Sequence, residues 1–326
     1  MKVMRTFLAV ISFIPIEGWC QQKDTWIKKL DSLSIQANSL QDSQKNNINP
    51  AVYDDAKIDF RTYFTLLGDD LKQQATAPFH TKKKDWLKVG AFALLTGAVA
   101  LTNRPVNEFA KKLRDNSPGV ASASKYITNL GGAYEVVALG GFFVYGLIFK
   151  TQKEKTTTVL ATQAYITAGV IGGVGKYLFG EQRPYYTDPV SNKSGPIFRG
   201  PFYVFKKGPN GEKLSSSDFA SFPSGHTTAA FAAATVYALE YRDKPLIPIL
   251  SYSAATLIGL SRLTENKHWP VDVVAGAMLG YLSGKQVVNN FHRYSRLKTG
   301  KGGHEPVSFN LQYYNKQFLS GLVYKF

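Results

Sequence analysis

Polar and apolar positions divide the chain into distinct regimes. Residues 21 to about 85 are polar and mixed in charge, with weak helical spacing at Trp26, Leu30, Leu33 and Ile35. Asp31 to Pro50 is rich in Ser, Gln and Asn, which predicts a short helix followed by a loop around Asn46 to Pro50. From Trp86 onward, Ala- and Gly-rich apolar segments recur: Val89 to Leu101, Ala133 to Phe149, Thr157 to Phe179, Thr227 to Leu239, Leu246 to Leu260 and Val273 to Leu282. Polar loops bearing Pro or Gly separate them. The pattern predicts about six helices, with a long insertion between the third and fourth. Strand and helix patterns do not alternate, which disfavours a doubly wound sheet. The tail alternates at Phe309, Leu311 and Tyr313, then at Phe318, Gly321, Val323 and Phe326, predicting two short strands around Asn315-Lys316. A final aromatic on such a strand also resembles the end of an outer-membrane barrel strand. Two strands cannot close a barrel, so the hairpin is expected to pack on the body. The expected fold is all-α, a bundle of about six helices plus a short C-terminal β-hairpin.

The first twenty residues follow a different logic. Lys2 and Arg5 precede an apolar run from Thr6 to Ile16, and small residues Gly18 and Cys20 flank Trp19 ahead of Gln21. This reads as a signal peptide cut before Gln21, with an amphipathic anchor as the alternative. The run is too short to cross a bilayer, which takes roughly twenty apolar residues. Glu17 and Trp19 argue against lipidation of Cys20. Gly131 to Phe149 is 19 residues long with Glu135 as its single charge, and alone reads as a good span. The other segments are short or carry Thr, Gln, Ser or Lys, as buried bundle helices do. If all six spanned, the loop after the third would face the cytoplasm, against the sense of an export signal. The expectation is an exported protein on the periplasmic side of a bacterial envelope, with partial membrane association. Its parts are a signal peptide (1–20), a polar extension (21–85), a helical domain (86–290) and a tail (291–326).

Composition narrows the chemistry. Lys and Arg number 39 against 23 Asp and Glu, a formal charge of +16, which calls for an anionic partner. Phosphate esters, anionic lipid and nucleic acid all qualify. The basic residues are scattered and no nucleic-acid motif appears, so nucleic acid is not expected. Lys82-Lys83-Lys84 reads as a solvated face, with anionic-lipid contact as the sharper alternative. The single cysteine, Cys20, excludes a disulfide framework and a Cys-ligated metal. With five histidines in 326 residues, a His-rich metal site is not expected.

Three clusters carry the chemistry. Lys176 and, seven residues on, Arg183-Pro184 flank Gly180, which is expected to end the third helix. Both cations could then point at one anion, although a Lys and an Arg near a helix end are ordinarily just favourable to its dipole. Ser221-Phe222-Pro223-Ser224-Gly225-His226 precedes the fourth helix. Ser224 is placed to cap it, and Gly225 to let an anion approach the free N–H groups of the first turn. His226 stands beside that anion; alone, it would read as a satisfied polar residue. In the third cluster, Arg262 ends the fifth helix, Pro270 suits the first turn of the sixth, and Asp272 lies one turn beyond His268. A carboxylate on one imidazole nitrogen fixes the tautomer and frees the other as nucleophile or base. A purely structural His–Asp pair is the bland alternative.

Together the clusters supply three cations, two histidines and one orienting carboxylate, all at helix ends able to share one face. Their order and spacing resemble the type 2 phosphatidic acid phosphatase superfamily, which includes bacterial acid phosphatases and vanadium haloperoxidases. The resemblance covers residues 170 to 285. It implies a helical bundle with its active site at one end, and a metal-free phosphohydrolase without cofactor. His268 would attack phosphorus to form a phosphohistidine, Asp272 would hold its ring, and His226 would protonate the leaving group and then activate water. Lys176, Arg183, Arg262 and the N–H groups of Ser224 and Gly225 would hold the phosphoryl oxygens. The exported, basic and apolar chain points to a phosphorylated lipid or polyprenyl diphosphate. A soluble nonspecific acid phosphatase and a vanadate-dependent haloperoxidase are the alternatives. Phe198, Phe202, Tyr203, Phe205, Lys206 and Lys207 in the insertion Tyr185 to Phe222 suit either a lipid headgroup entrance or an ordinary packed loop.

Overall fold

The computed structural model describes residues 51–80, 83–130, 151–186, 195–207, 215–298, 307–314 and 317–324, with a few positions between 140 and 148. The proposed signal peptide, the loop near Pro50 and most of the second apolar segment lie outside the described residues. The helices in chain order are α1 (Ala51–Asp55), α2 (Phe60–Thr76), α3 (Lys83–Leu101), α4 (Asn103–Asp115), α5 (Pro118–Leu130), α6 (Gln152–Phe179), α7 (Gly225–Glu240), α8 (Leu246–Thr264) and α9 (Pro270–Lys298). Among the described residues the count is therefore nine rather than about six. Five coincide with predicted segments. The additional ones, α1, α2, α4 and α5, carry many polar residues, and some of those are buried in hydrogen bonds rather than exposed. Strands β1 (Val307–Tyr314) and β2 (Gln317–Tyr324) pair antiparallel, with Tyr314 opposite Gln317.

Helix α7 is the centre of the bundle and packs against α9, α8 and α6. Its small side chains explain why. Ala232 and Val236 join Leu160, Ala161, Ala164 and Ala168 of α6 and Val287, Val288 and Phe291 of α9 in one cluster. On another side Ala230, Phe231 and Ala234 meet Ala255 and Ile258 of α8. An Ala-rich helix buried on every side shows little amphipathic periodicity, since it has no solvent stripe.

The α7–α9 contact is closest. Gly276, Gly280 and Gly284 recur every four residues along α9 and face carbonyls spaced the same way on α7. A Cβ at Gly276 would lie 2.7 Å from the Ser224 carbonyl oxygen, at Gly280 2.2 Å from that of Thr228, and at Gly284 2.6 Å from that of Ala232. Only residues without a side chain allow backbones this near.

The N-terminal helices dock through polar groups. Asp70 of α2 is fully buried and accepts from Gln163 Nε2 and Asn290 Nδ2, each at 2.5 Å. Gln74 Nε2 donates to Ser283 Oγ at 2.9 Å. Tyr53 of α1 donates its hydroxyl hydrogen to the buried Glu240 carboxylate, which His292 Nε2 also contacts at 2.8 Å.

Two described helices, α6 and α8, are long and apolar enough to cross a membrane, and α3 with α4 would count as a third if that pair, bent by 55°, is one span. By length and composition, the Thr157 and Leu246 segments thus qualify as spans alongside the buried-bundle reading of the sequence. Helix α6 extends to 28 residues and α8 to 19, and Thr156, Thr157, Thr158, Thr167 and Gln163 of α6 are buried inside the bundle. The outward positions of α6 and α8 are apolar: Val170, Val174, Leu178, Leu246, Ile249 and Leu250 are exposed.

The glycine register gives a test. Gly280→Ala should destabilise the fold by about 1–3 kcal/mol or more through overpacking against backbone, lowering Tm in detergent. Gly173→Ala, with open space around its Cβ position, should leave Tm unchanged or raise it by the helix-propensity difference of about 1 kcal/mol. Equal Tm for both variants would contradict the close α7–α9 approach.

Candidate active site

The site is assembled where α6 and α8 end and α7 and α9 begin. Lys176 lies on the last turn of α6. Gly180 ends that helix in the left-handed region (φ 57°) and returns its N–H to the Lys176 carbonyl at 3.1 Å. A Cβ there would sit 2.6 Å from the Gly200 carbonyl oxygen, so the turn requires glycine on both steric and conformational grounds. The following residues are pinned. Gln182 N donates to Ile197 O at 2.9 Å, Arg183 N to Asp218 O at 2.8 Å, and Ser221 N to Glu181 O at 3.1 Å. Trp269 Nε1 donates to Gln182 O at 2.7 Å, tying the loop to the third cluster.

These bonds bring the predicted cations together. Lys176 Nζ and Arg183 Nη2 share one acceptor, the Ala220 carbonyl oxygen, at 2.7 and 3.4 Å. Arg183 Nη1 reaches Lys267 O at 3.3 Å. Arg262, on the last turn of α8, is oriented by Glu265 Oε2 at 2.7 Å and Thr128 Oγ1 at 3.1 Å. The Nε groups of Arg183 and Arg262 are buried and have no hydrogen-bond acceptor among the described residues. They are donors available to an anion.

Ser224 departs from expectation. Its N–H donates to the Asp272 carbonyl oxygen at 3.1 Å, so it is not free for a phosphoryl oxygen. Its hydroxyl does not cap α7 but accepts from Thr227 Oγ1 at 2.9 Å. Ser224 therefore clamps the start of α7 to the start of α9. Helix α7 begins at Gly225, and the N–H groups of its first turn have no intrahelical acceptor. The Gly225 Cβ position lies 3.8 Å from Lys176 Cε, so these donors face the same space as the lysine.

The third cluster matches its spacing. His268 Nδ1 lies 3.2 Å from Asp272 Oδ2. The same oxygen accepts from Ser221 Oγ at 2.5 Å and from the Trp269 N–H at 2.8 Å. With Nδ1 held by the carboxylate, His268 Nε2 is the nitrogen free to react.

Electrostatics follow from this crowding. Burial pushes the His226 pKa down to about 4, helped by the positive charges of Arg262, Lys176 and Arg183. All three cations, from three separate elements, thus act on one imidazole. Burial lowers His268 to about 3 against the opposing pull of Asp272. Both rings are neutral near pH 7. Burial alone would raise Asp272, but hydrogen bonds from Glu181, His268 and Ser221 hold its carboxyl below the usual range.

Sequence reading passed over Ser221 as a functional residue, and over Glu181, Thr128 and Glu265 altogether. A Glu inside a spacer, a Thr on a distant helix and a serine three residues ahead of the helix cap carry no spacing signal. The insertion is partly packed and partly open. Phe198 meets Phe179 and Phe222, and Tyr203 meets the buried Phe219, whereas Phe202 and Phe205 are exposed beside Lys206 and Lys207. Among the described residues no group of three or more His, Cys, Asp or Glu is arranged to hold a metal ion.

The PAP2 superfamily model matches residues 157–296. Lipid A 1-phosphatase of Porphyromonas gingivalis is 46% identical over 66 residues, 20% of this chain and 15% of that protein. Undecaprenyl-diphosphatase of Sulfolobus acidocaldarius is 32% identical over 135 residues, 41% of this chain and 54% of that protein. The chain thus spans less than two thirds of either relative. A crystal structure of Aquifex aeolicus LpxE superposes with a TM-score of 0.42 at 24% identity, covering 57% of this chain and 94% of that one.

The convergence of cations on His226 is measurable by histidine NMR. In the unliganded protein, His226 and His268 should both titrate well below the ordinary imidazole value. Arg262→Gln should move the His226 midpoint upward, since a neighbouring positive charge disfavours imidazolium. An unchanged or lowered midpoint would contradict the arrangement.

Proposed function

We propose, from the match of residues 157–296 to the PAP2 superfamily model, that the chain is a phosphatase of that superfamily acting through a phosphohistidine, and that its substrate is a lipid phosphate or polyprenyl diphosphate of the cell envelope. The observation that carries the reading is the gathering of Lys176, Arg183 and Arg262 about His226, beside the buried His268–Asp272 pair. Three fixed cations and a helix N-terminus match the charge of a phosphate ester and stabilise the further charge that develops on its oxygens.

In the proposed reaction His268 Nε2 attacks phosphorus in line. The N–P bond forms as the P–O bond to the leaving group breaks, and Asp272 stabilises the positive charge on the ring through Nδ1–H. His226 donates its proton to the departing oxygen. In the second step His226 takes a proton from water, the water oxygen attacks phosphorus, and the N–P bond breaks to release phosphate. His226 is neutral near pH 7, so in the proposed reaction it gains its proton with the substrate. A phosphate dianion lying among the same cations offsets their repulsion and raises the pKa of the imidazole. The phosphoryl oxygens would be held by Lys176, Arg183, Arg262 and the N–H of Gly225, together with the rest of the α7 first turn.

Two observations support an amphiphilic substrate in the membrane. Helices α6 and α8 are long and apolar enough to cross it. Phe202 and Phe205 are exposed beside two lysines at the insertion that borders the site, a composition that suits the interface. The relatives named above act, by their names, on lipid A and on undecaprenyl diphosphate. The periplasmic side and a cleaved signal peptide belong to the same proposal.

Phosphoenzyme trapping separates the two histidines. His268→Ala should form no phosphohistidine and no product. His226→Ala should form it only from esters with good leaving groups such as p-nitrophenyl phosphate. Wild-type labelling in His268→Ala would overturn the assignment.

A substrate panel with lipid phosphates, polyprenyl diphosphates and p-nitrophenyl phosphate, run with and without detergent, should show a wide preference for the amphiphiles and no loss of rate in excess EDTA. A flat profile would favour a soluble acid phosphatase instead. Loss of activity in EDTA with rescue by a divalent ion would sink the mechanism.

A further inference from the structure

Glu181 lies in the spacer between Lys176 and Arg183 and is 0% exposed. Its backbone is fixed from both sides, through the bridge to Phe198 and through Ser221 N. Neither Oε1 nor Oε2 has an N–H or O–H donor within hydrogen-bond reach among the described residues. Asp272 Oδ1 is likewise without such a donor, although Oδ2 has the Ser221 hydroxyl and the Trp269 N–H, with His268 beside it. The two orphaned carboxyls are hydrogen-bonding neighbours of one another.

Two ionised carboxylates cannot occupy that position. An unpartnered buried charge costs several kcal/mol, and a second charge of the same sign beside it adds to this. One proton between them removes both problems, because it supplies the missing donor to Asp272 Oδ1 and neutralises the other carboxyl. Asp272 already accepts from other donors and has His268 beside it, whereas Glu181 has none, so the proton belongs on Glu181. Burial first, and then the Asp272 charge, push the Glu181 pKa up to about 12 against the opposing pull of Lys176.

We propose that Glu181 is a positioning residue for the phosphatase reaction, a protonated carboxylic acid whose O–H donates to Asp272 Oδ1 and so holds that carboxylate ionised and correctly turned toward His268 Nδ1. It touches neither substrate nor His268 and acts through Asp272 alone. The role rests on the catalytic reading above, while the protonation state rests only on the geometry of the pair.

The groups that bear on the pair are Lys176 from α6, Ser221 and His268 from the two following clusters, and Arg183, which interacts with Asp272. Removing the Glu181 donor leaves those charges in place and raises the Asp272 pKa. The acid limb of kcat/KM, which requires ionised Asp272, then moves to higher pH.

The test compares Glu181→Gln, which keeps a neutral donor, with Glu181→Leu, which removes it. With p-nitrophenyl phosphate, Glu181→Gln should hold kcat within a few fold and keep the acid limb in place. Glu181→Leu should lose roughly 10- to 100-fold in kcat, the worth of one hydrogen bond to a charged group, with little change in KM and an acid limb shifted upward. Equal damage by both variants, or none by Glu181→Leu, would overturn the proposal. Infrared difference spectroscopy provides a readout independent of turnover and of the Leu variant's folding. Wild-type protein at neutral pH should show the carbonyl stretch of a protonated carboxylic acid that Glu181→Gln lacks. Absence of that band overturns the proposal even if the phosphatase reading stands. Its presence in a protein without phosphatase activity would instead overturn the catalytic reading and leave the shared proton intact.

Discussion

Holding three cations close together is the constraint on which the rest of this structure depends. Lys176, Arg183 and Arg262 repel one another, and burial strengthens the repulsion. The chain meets this with carbonyl dipoles, with Glu265 paired to Arg262, and with the buried Asp272 carboxylate, whose charge attracts Lys176 and Arg183. One carbonyl, that of Ala220, accepts from both Lys176 and Arg183. Arg262 is held from its far side by Glu265 and Thr128. These contacts orient the cations while leaving the Nε groups of both arginines unsatisfied. An anion entering the site relieves repulsion and fills those donors together, which is how a preorganised site binds charge without reorganising.

Such an arrangement survives only if the helix ends cannot drift, and the glycine register on α9 supplies that rigidity. Gly276 brings α9 against the Ser224 carbonyl, and the Ser224 N–H reaches back to the Asp272 carbonyl. Ser224, two residues before His226, and Asp272, whose side chain contacts His268, are thereby joined through backbone alone. The distance between the two histidines is set by helix packing, not by side-chain flexibility.

Much of this was legible in the sequence, and the boundary between what was and was not has a physical basis. Gly180 as a helix end, Pro270 at a helix start and the His268–Asp272 pairing follow from local geometry, which spacing encodes directly. The convergence of the clusters was legible because each sits at an element boundary. Helices α1 and α2 were not, because Tyr53 and Asp70 find their polar partners some 90 to 220 residues away. A polar residue reads as exposed until its partner is known. Ser224 misled for a related reason. Its sequence position suits a cap, and only the tertiary approach of α9 diverts its N–H. Glu181 had no signal at all, since a glutamate beside an arginine reads as a surface ion pair.

A protonated Glu181 also bears on what the site can bind. Were both Glu181 and Asp272 ionised, two negative charges would lie near the proposed phosphate site and cancel much of the field from the three cations. With one proton shared, a single carboxylate remains, and Asp272 directs that charge at His268. The charge that orients the proposed nucleophile is kept, and the attraction for an anion is not offset by a second carboxylate. The same neutrality lets Glu181 sit against Lys176 without forming an ion pair that would draw the ammonium away from Ala220 and the space before Gly225. A buried acid in the spacer of the first cluster thus reconciles two demands that otherwise conflict: a carboxylate close enough to steer an imidazole, and a site positive enough to hold a phosphate ester.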